Sequence, residues 1–398
     1  MNKMFLAAAP LLKKIEEAGF EAYFVGGAVR DYILDRDISD IDIATSATPT
    51  EIKMIFPKTI DVGIEHGTVV VIYQNESYEI TTFRAESQYE DFRRPKEVSF
   101  IRSLEADLMR RDFTMNAIAM DYNGRLLDPF GGKEAIRNKV ISTVGKPEER
   151  FGEDALRMLR AIRFLSQLSF SIESETYNAL ISQAPLLVNI AVERKKTEFE
   201  KMLQGPNRKE ALELLIDSGT HKYLPGFDGM KEQLTKLLKY DLEMHSITEL
   251  WVLILTCLDL KEKSAESFLR SWCLPVKQIK YIQKISKYLS KRLSSEWGLY
   301  DLYSAKYNVI ESVENLYASL NDTINRHASY WLSKYDSLPL KDRNELCVTG
   351  KEVMEWLNRS GGPWLKDLLK SIEIEILGGK LANNPDEVKE WVMRCNQK

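Results

Sequence analysis

The sequence predicts an α+β head, a small mixed sheet with flanking helices, followed by an extended all-α region. Three observations carry this. Strand-like runs crowd into the first third ("AYFVGG", "DIDIAT", "TVVVIYQ", "YEITTFR", "FTMNAIAMD"), β-branched or aromatic and several of them alternating. After about residue 145 the texture turns Leu-, Lys- and Glu-rich with helical periodicity. That stretch is punctuated by the breakers "QGPN" (204–207), "LPGFDG" (224–229) and "RSGGPW" (359–364).

The 398 residues exceed one ordinary core, so several domains are expected. Hydrophobic residues at 44% and charged residues at 29% give the profile of a soluble globular protein. A net charge of −4 excludes a generic cationic nucleic-acid binder, so a polyanion must be held by local patches. The cysteines (257, 273, 347, 395) and histidines (66, 221, 245, 327) are scattered without a CxxC pair. This argues against a zinc site or a disulfide framework and fits a reducing cytoplasm.

Taken in chain order, "MNKMFLAAAPLLKK" has a short apolar run that ends in two lysines and continues as amphipathic "IEEAGF". It reads as an N-terminal helix rather than a signal peptide. Next, "FVGGAVRD" closes an apolar strand on Gly26-Gly27 and opens a helix with Arg30 in its first turn. Glycine admits close backbone approach and the guanidinium suits phosphate, although a plain strand-to-helix turn has the same appearance. In "SDIDIAT", strand alternation puts Asp40 and Asp42 on one face, Cα atoms roughly 6–7 Å apart, with Ile41 and Ile43 in the core. Two such carboxylates suit Mg²⁺, which takes one or two acids plus substrate phosphates. Ordinary acids on an exposed strand would look alike. "VVVIYQNESYEITTF" reads as a hairpin turning near Asn75. "LWVLILTCL" (250–258) is too short for a membrane span and reads as a buried helix.

"GEDALRMLRAIRF" (152–164) starts with acids and continues with arginines at 157, 160 and 163. On one helix over 153–164, Asp154, Arg157, Arg160 and Arg163 form an i,i+3 ridge opposite Ala155, Leu156, Leu159 and Ile162. Dipole compensation accounts for such an order, with Glu153 and Asp154 at the positive end. Asp154 and Arg157 also match the donor–acceptor edge shared by cytosine and adenine and oppose that of uracil and guanine.

"VGGAVRDYILDRDISDIDIAT" resembles the signature of the nucleotidyltransferase superfamily, in the branch holding bacterial tRNA nucleotidyltransferases and poly(A) polymerases. In order after it, "TTFRAESQYEDFRRPKEVSF" (81–100) is similar to that branch's flexible-loop segment. "RRDFTMNAIAMD" (110–121) resembles its next motif and "EDALRMLRAIRF" its nucleotide-recognition helix. The resemblance implies a nucleotidyltransferase head (1–145), a helical neck (146–205), and a tRNA-binding body (206–265) and tail (266–398). It implies Mg²⁺ at Asp40 and Asp42 as catalytic carboxylates, with Glu79 as a possible third acid. It places Gly27, Arg30 and Arg111 on the triphosphate, Asp154 and Arg157 on the base, and Arg160 and Arg163 among the nucleotide-binding residues. Asp112 and Asn116 then fix the turn and strand around Arg111, and Glu153 stays a helix-start acid.

The implied activity is template-independent addition of CCA to tRNA from CTP and ATP by a two-metal mechanism, in a cytoplasmic homodimer. CC-only or A-only addition, poly(A) synthesis, and a non-catalytic RNA-binding role on the same fold remain alternatives. The full-length loop around 83–97 favours CCA over CC alone, and the absence of a long basic tail disfavours poly(A) synthesis. A lysine stripe (Lys277, Lys280, Lys284, Lys287, Lys291) lies opposite Ile279, Ile282, Ile285 and Leu289. It is either a track for the tRNA backbone or a solvated helix face.

Overall fold

A computed structural model describes residues 1–63, 67–90, 94–321 and 327–395. His66 and residues 91–93 of the loop-like segment lie outside the described residues. The chain forms two compact units, Met1–Leu238 with Ser271–Cys273, and Lys239–Arg270 with Leu274–Lys398.

The first unit opens with helix α1 (Lys3–Glu17), capped by Asn2, whose Phe5, Ala8, Leu11, Leu12 and Ile15 are buried. Strand β1 (Ala22–Val25) runs into α2 (Gly27–Ile33), and β2 (Asp42–Thr45) leads to α3 (Pro49–Ile55), which carries a Thr48/Glu51 capping box. Strands β3 (Thr59–Asp61), β4 (Thr68–Tyr73) and β5 (Glu76–Thr82) follow. The β4–β5 hairpin turns at Gln74-Asn75, both at positive φ, as a two-residue hairpin loop requires. Strands β6 (Arg84–Glu90) and β7 (Arg94–Phe100) form a separate antiparallel pair. Helix α4 (Leu104–Met109), short strands β8 (Ala119–Met120) and β9 (Leu126–Leu127) and helix α5 (Gly132–Asn138) complete the head. The sheet order is β3-β4-β5-β2-β1-β8-β9. Only the β2–β5 pair is parallel, so the sheet is mixed, as the sequence predicts.

Two expectations need correction here. "FTMNAIAMD" is not one strand: Thr114–Asn116 is a 3₁₀ turn ahead of two-residue β8, because Thr114 and Asn116 are tied to side chains rather than to a ladder. The single helix over 153–164 is also broken. Helix α6 (Pro147–Glu153) ends at Glu153, Asp154 is extended (φ −135°, ψ 101°), and α7 (Leu156–Leu168) starts afresh. Asp154 accepts the Leu156 N–H (3.1 Å), a local side-chain bond that satisfies an orphan amide of the new helix.

A two-residue parallel pair joins β10 (Val140–Ile141) and β11 (Ser171–Ile172). Helices α8 (Ser174–Gln183), α9 (Val192–Gln204), α10 (Arg208–Asp217) and α11 (Lys231–Leu237) follow, with α9 and α10 packed on α7. The second unit is helical. Within it α12 (Ile247–Cys257) is the apolar stretch, with Leu250–Leu255 buried. Helix α13 (Glu262–Ser271) follows, and α14 (Val276–Ser294) buries Ile279, Ile282, Ile285 and Leu289, as its periodicity predicts. Among the described residues no helix is long and apolar enough to cross a membrane.

Candidate active site

The site is built around the turn from β1 into α2. Gly26 has φ +74°, and a Cβ there would lie 3.2 Å from Arg111 Nη1 and 3.5 Å from Asp42 Oδ2. Only glycine fits that conformation without strain, and its bareness lets a guanidinium and a carboxylate meet over the turn. Gly27 lies next to Arg30, whose Nη2 would be 3.6 Å from a Cβ at Gly27.

Asp40, Ile41, Asp42 and Ile43 alternate open and buried as predicted, although only Asp42 and Ile43 belong to β2. Asp42 stands opposite Glu79 in the parallel β2–β5 register, so both point to one face across roughly 4.8 Å. Asp40, Asp42 and Glu79 line one open cleft with Ser39, Ser77 and Lys3. Desolvation raises the Asp42 pKa; Arg111 opposes the rise, and Glu79 and Asp40 add to it. Among the described residues no three acids stand close enough to cage a metal ion, so the donors offered are one or two carboxylates, the number a hard divalent cation such as Mg²⁺ takes when substrate phosphates supply the rest.

Arg111 is held through Nη2 by the buried Asp107 (3.4 Å), while its Nε has no hydrogen-bond partner among the described residues. Burial lowers the Arg111 pKa against the pull of Asp107. Asp107 also takes Arg110 Nε (3.0 Å) and Nη2 (2.8 Å) and the Arg84 N–H (3.3 Å).

Asp112 is the hub of a second network. It accepts from the Phe113 N–H (2.9 Å), Asn116 Nδ2 (3.1 Å) and Arg160 Nε (2.8 Å). Asn116 in turn accepts from Arg30 Nη1 (2.7 Å), and Arg30 also grips Asp31. Asp112 and Asn116 thus fix the turn, as expected, and also reach beyond Arg111 to Arg30 and Arg160. Despite its burial, Asp112 is lowered to about 2, chiefly by Arg160 with the Asn116 hydrogen bond. Arg160 and Arg163 both face Glu198 of α9, at 3.9 Å and 3.2 Å, and burial takes Arg163 down to about 10. The Phe164 ring lies under three guanidinium groups, Arg30, Arg160 and Arg163, at 5.1, 5.6 and 4.1 Å.

The helix break changes the acid–arginine edge. Asp154 is not on the ridge of Arg157, Arg160 and Arg163, and its ion-pair partner is Arg194 of α9 (2.8 Å). Arg157 is buried and donates to Glu153 (2.7 Å), Arg150 O (3.1 Å) and Arg110 O (3.0 Å). Glu153 closes α6 and pairs with Arg150 and Arg157, so it is no helix-start acid. The dipole account of 153–154 fails for the same reason. The residues that sequence reasoning missed are Gly26 as the strained position, and Asp107, Arg194 and Glu198. The last three hold site arginines or Asp154 through contacts that no local pattern announces.

A glycine turn, carboxylates on adjacent strands of a mixed sheet and helices beyond it thus make up the head and its candidate site. The family model for the poly A polymerase head domain matches residues 22–142. A probable RNA- and SrmB-binding site of polymerase A matches 169–230, and a putative tRNA nucleotidyltransferase domain 2 matches 242–392. The chain is 45% identical over 401 residues to a CCA-adding enzyme of Geobacillus sp. (strain WCH70), covering 100% of this chain and 98% of that one. It is 47% identical over 395 residues to that of Listeria monocytogenes serovar 1/2a, covering 98% and 99%. Its fold is similar to the crystal structure of the Bacillus stearothermophilus CCA-adding enzyme in complex with CTP (TM-score 0.91, 42% identity, 100% and 98% covered). The chain belongs to the CCA-adding enzyme family.

Proposed function

We propose that this nucleotidyltransferase adds the 3′-terminal CCA to tRNA, taking CTP and ATP and releasing pyrophosphate. The observation that carries this reading is the meeting of Asp42 and Arg111 over the Gly26 turn, beside Asp40 and Glu79. Asp40 and Asp42 are the residues that would hold Mg²⁺. Bound there, divalent cations would supply activation of the RNA 3′-hydroxyl and charge neutralisation at the leaving pyrophosphate. Gly26 and Gly27 admit the triphosphate against the backbone, and Arg30 and Arg111 orient it and stabilise its charge. The 3′-oxygen then forms a bond to the α-phosphorus as the bond to pyrophosphate breaks.

Base choice falls to Asp154 and Arg157. Asp154 accepts from the amino group of C or A, and Arg157, which the break separates from it, donates to the ring nitrogen beside it on releasing one of its contacts to Glu153, Arg150 O or Arg110 O. U and G reverse both contacts, and each unpaired group costs roughly 1–3 kcal/mol. Arg160 and Arg163 complete the nucleotide site. The neck carries this helix, and the body and tail bind tRNA, with exposed Lys277, Lys280 and Lys287 along its backbone. The same reading makes the protein a cytoplasmic homodimer, which sedimentation tests for its oligomeric part.

The deciding experiment offers tRNA lacking its 3′ end, with Mg²⁺ and each labelled nucleotide alone and together. Addition of two C residues without ATP, then one A with it, supports the proposal. Arrest at CC with both nucleotides present indicates a CC-adding enzyme, long A tracts a polymerase, and no incorporation a binding protein.

A further inference from the structure

Helix α9 takes no part in the reaction as described, yet two of its side chains, one turn apart, hold the groups that read the nucleotide. We infer that Arg194 and Glu198 are positioning residues, and that Arg194 sets nucleotide specificity by fixing the carboxylate of Asp154. The inference rests on the proposed role of Asp154 as the base reader.

The helix break is what makes such a fixture necessary. Asp154 lies outside both α6 and α7, so no helical ridge orients its side chain. Its Oδ1 receives the Leu156 N–H (3.1 Å) and Arg194 Nη1 (3.4 Å), and its Oδ2 receives Arg194 Nη2 (2.8 Å). A carboxylate offers about four lone-pair sites, so three donors leave room for about one more, on Oδ2. A single amino group of C or A fills that place, whereas the carbonyl of U or G meets an oxygen held immobile against it. Without the arginine fork the carboxylate turns about its own side-chain torsions, and the opposed carbonyl no longer meets a fixed charge. Arg194 therefore acts on the ratio between correct and incorrect nucleotides, and not merely on rate.

Glu198 does a different job. It is buried; its Oε1 faces Arg160 (3.9 Å), and its Oε2 faces Arg163 (3.2 Å) and has no hydrogen bond among the described residues. It restrains the two guanidinium groups before any nucleotide arrives, which affects every nucleotide alike.

The test measures kcat/KM for CTP and for UTP on tRNA lacking its 3′ end, for wild type, Arg194→Met, Arg194→Lys, Glu198→Gln and Asp154→Ala. Loss of a charge-assisted hydrogen bond lowers the CTP/UTP ratio by about tenfold or more in Arg194→Met. Arg194→Lys, which keeps the charge without the fork, gives an intermediate ratio. Glu198→Gln raises KM for both nucleotides and leaves the ratio at its wild-type value. A wild-type ratio in Arg194→Met overturns the inference, whatever happens to the rate. If that variant does not fold, a wild-type ratio in Arg194→Lys overturns it. A ratio altered in Asp154→Ala but not in the Arg194 variants refutes this inference alone. A ratio unchanged in all of them refutes the base-reading role beneath it.

Discussion

Asp112→Asn tests the network that joins Arg30 of α2 through Asn116 to Arg160 of α7. The substitution keeps the shape and removes the charge facing Arg160 Nε at 2.8 Å. The Asp112 pKa is lowered from 3.8 to about 2, so the folded state favours the ionised carboxylate. At about 1.36 kcal/mol per unit, this corresponds to about 2 kcal/mol of stability. The sign is that of a depressed acid: the contribution is complete above about pH 5 and lost as pH falls through the interval from 3.8 toward 2. The assay is hydrogen exchange of the head amides, the capped Phe113 amide among them, corrected for intrinsic rates at pH 7 and at pH 3. Wild type exceeds the variant by about 2 kcal/mol at pH 7 and by about half that at pH 3. An equal gap at both pH values would refute the electrostatic account and leave only lost shape.

Three further outcomes follow from the same geometry. Gly26→Ala places a Cβ at φ +74° and 3.2 Å from Arg111 Nη1, so stability drops by about 1–3 kcal/mol and KM for CTP rises. Unchanged KM would show that Arg111 yields at no cost. Asp42→Asn abolishes incorporation yet raises the metal-free melting temperature, because a raised carboxyl pKa means that the ionised form destabilises the fold above pH 3.8; a lower melting temperature would contradict this. Replacing Lys277, Lys280 and Lys287 by Gln reduces the slope of log K against log salt for tRNA by about 2–3, and an unchanged slope returns these lysines to a solvated face.

The sequence shows well those features whose cause is local. Alternation around Asp40 and Asp42, the Gln74-Asn75 hairpin and the buried face of α14 are each dictated by neighbours within a few residues, and the structure has all three. The lysine stripe is legible as a pattern, but Lys291 pairs with Asp301 (2.5 Å) and Lys284 is half-buried, which the spacing does not reveal. The break at Asp154 is marked in the sequence only by Gly152 and by Asp154 itself, poor helix-interior types that the acid-then-arginine order masks. The Asp154 carboxylate is held by Arg194, 40 positions along the chain, and by the Leu156 N–H.

The partners of the arginines also rank what each can gain from a triphosphate. Arg30 is bound to Asp31 and Asn116, Arg157 to Glu153, Arg160 to Asp112, and Arg163 faces Glu198. For these four, an anion replaces or supplements an existing partner, so part of its attraction is already offset. Arg111 reaches Asp107 only at 3.4 Å, its Nε has no hydrogen-bond partner among the described residues, and burial lowers its pKa; Arg163 shares the last two traits. Arg111 and Arg163 are therefore the less compensated of the five, and of these two Arg111 stands where Asp42 and the Gly26 turn converge. The arginine ridge that dominates the sequence is a largely preorganised frame, and in the head an unmet demand for an anion lies at Arg111.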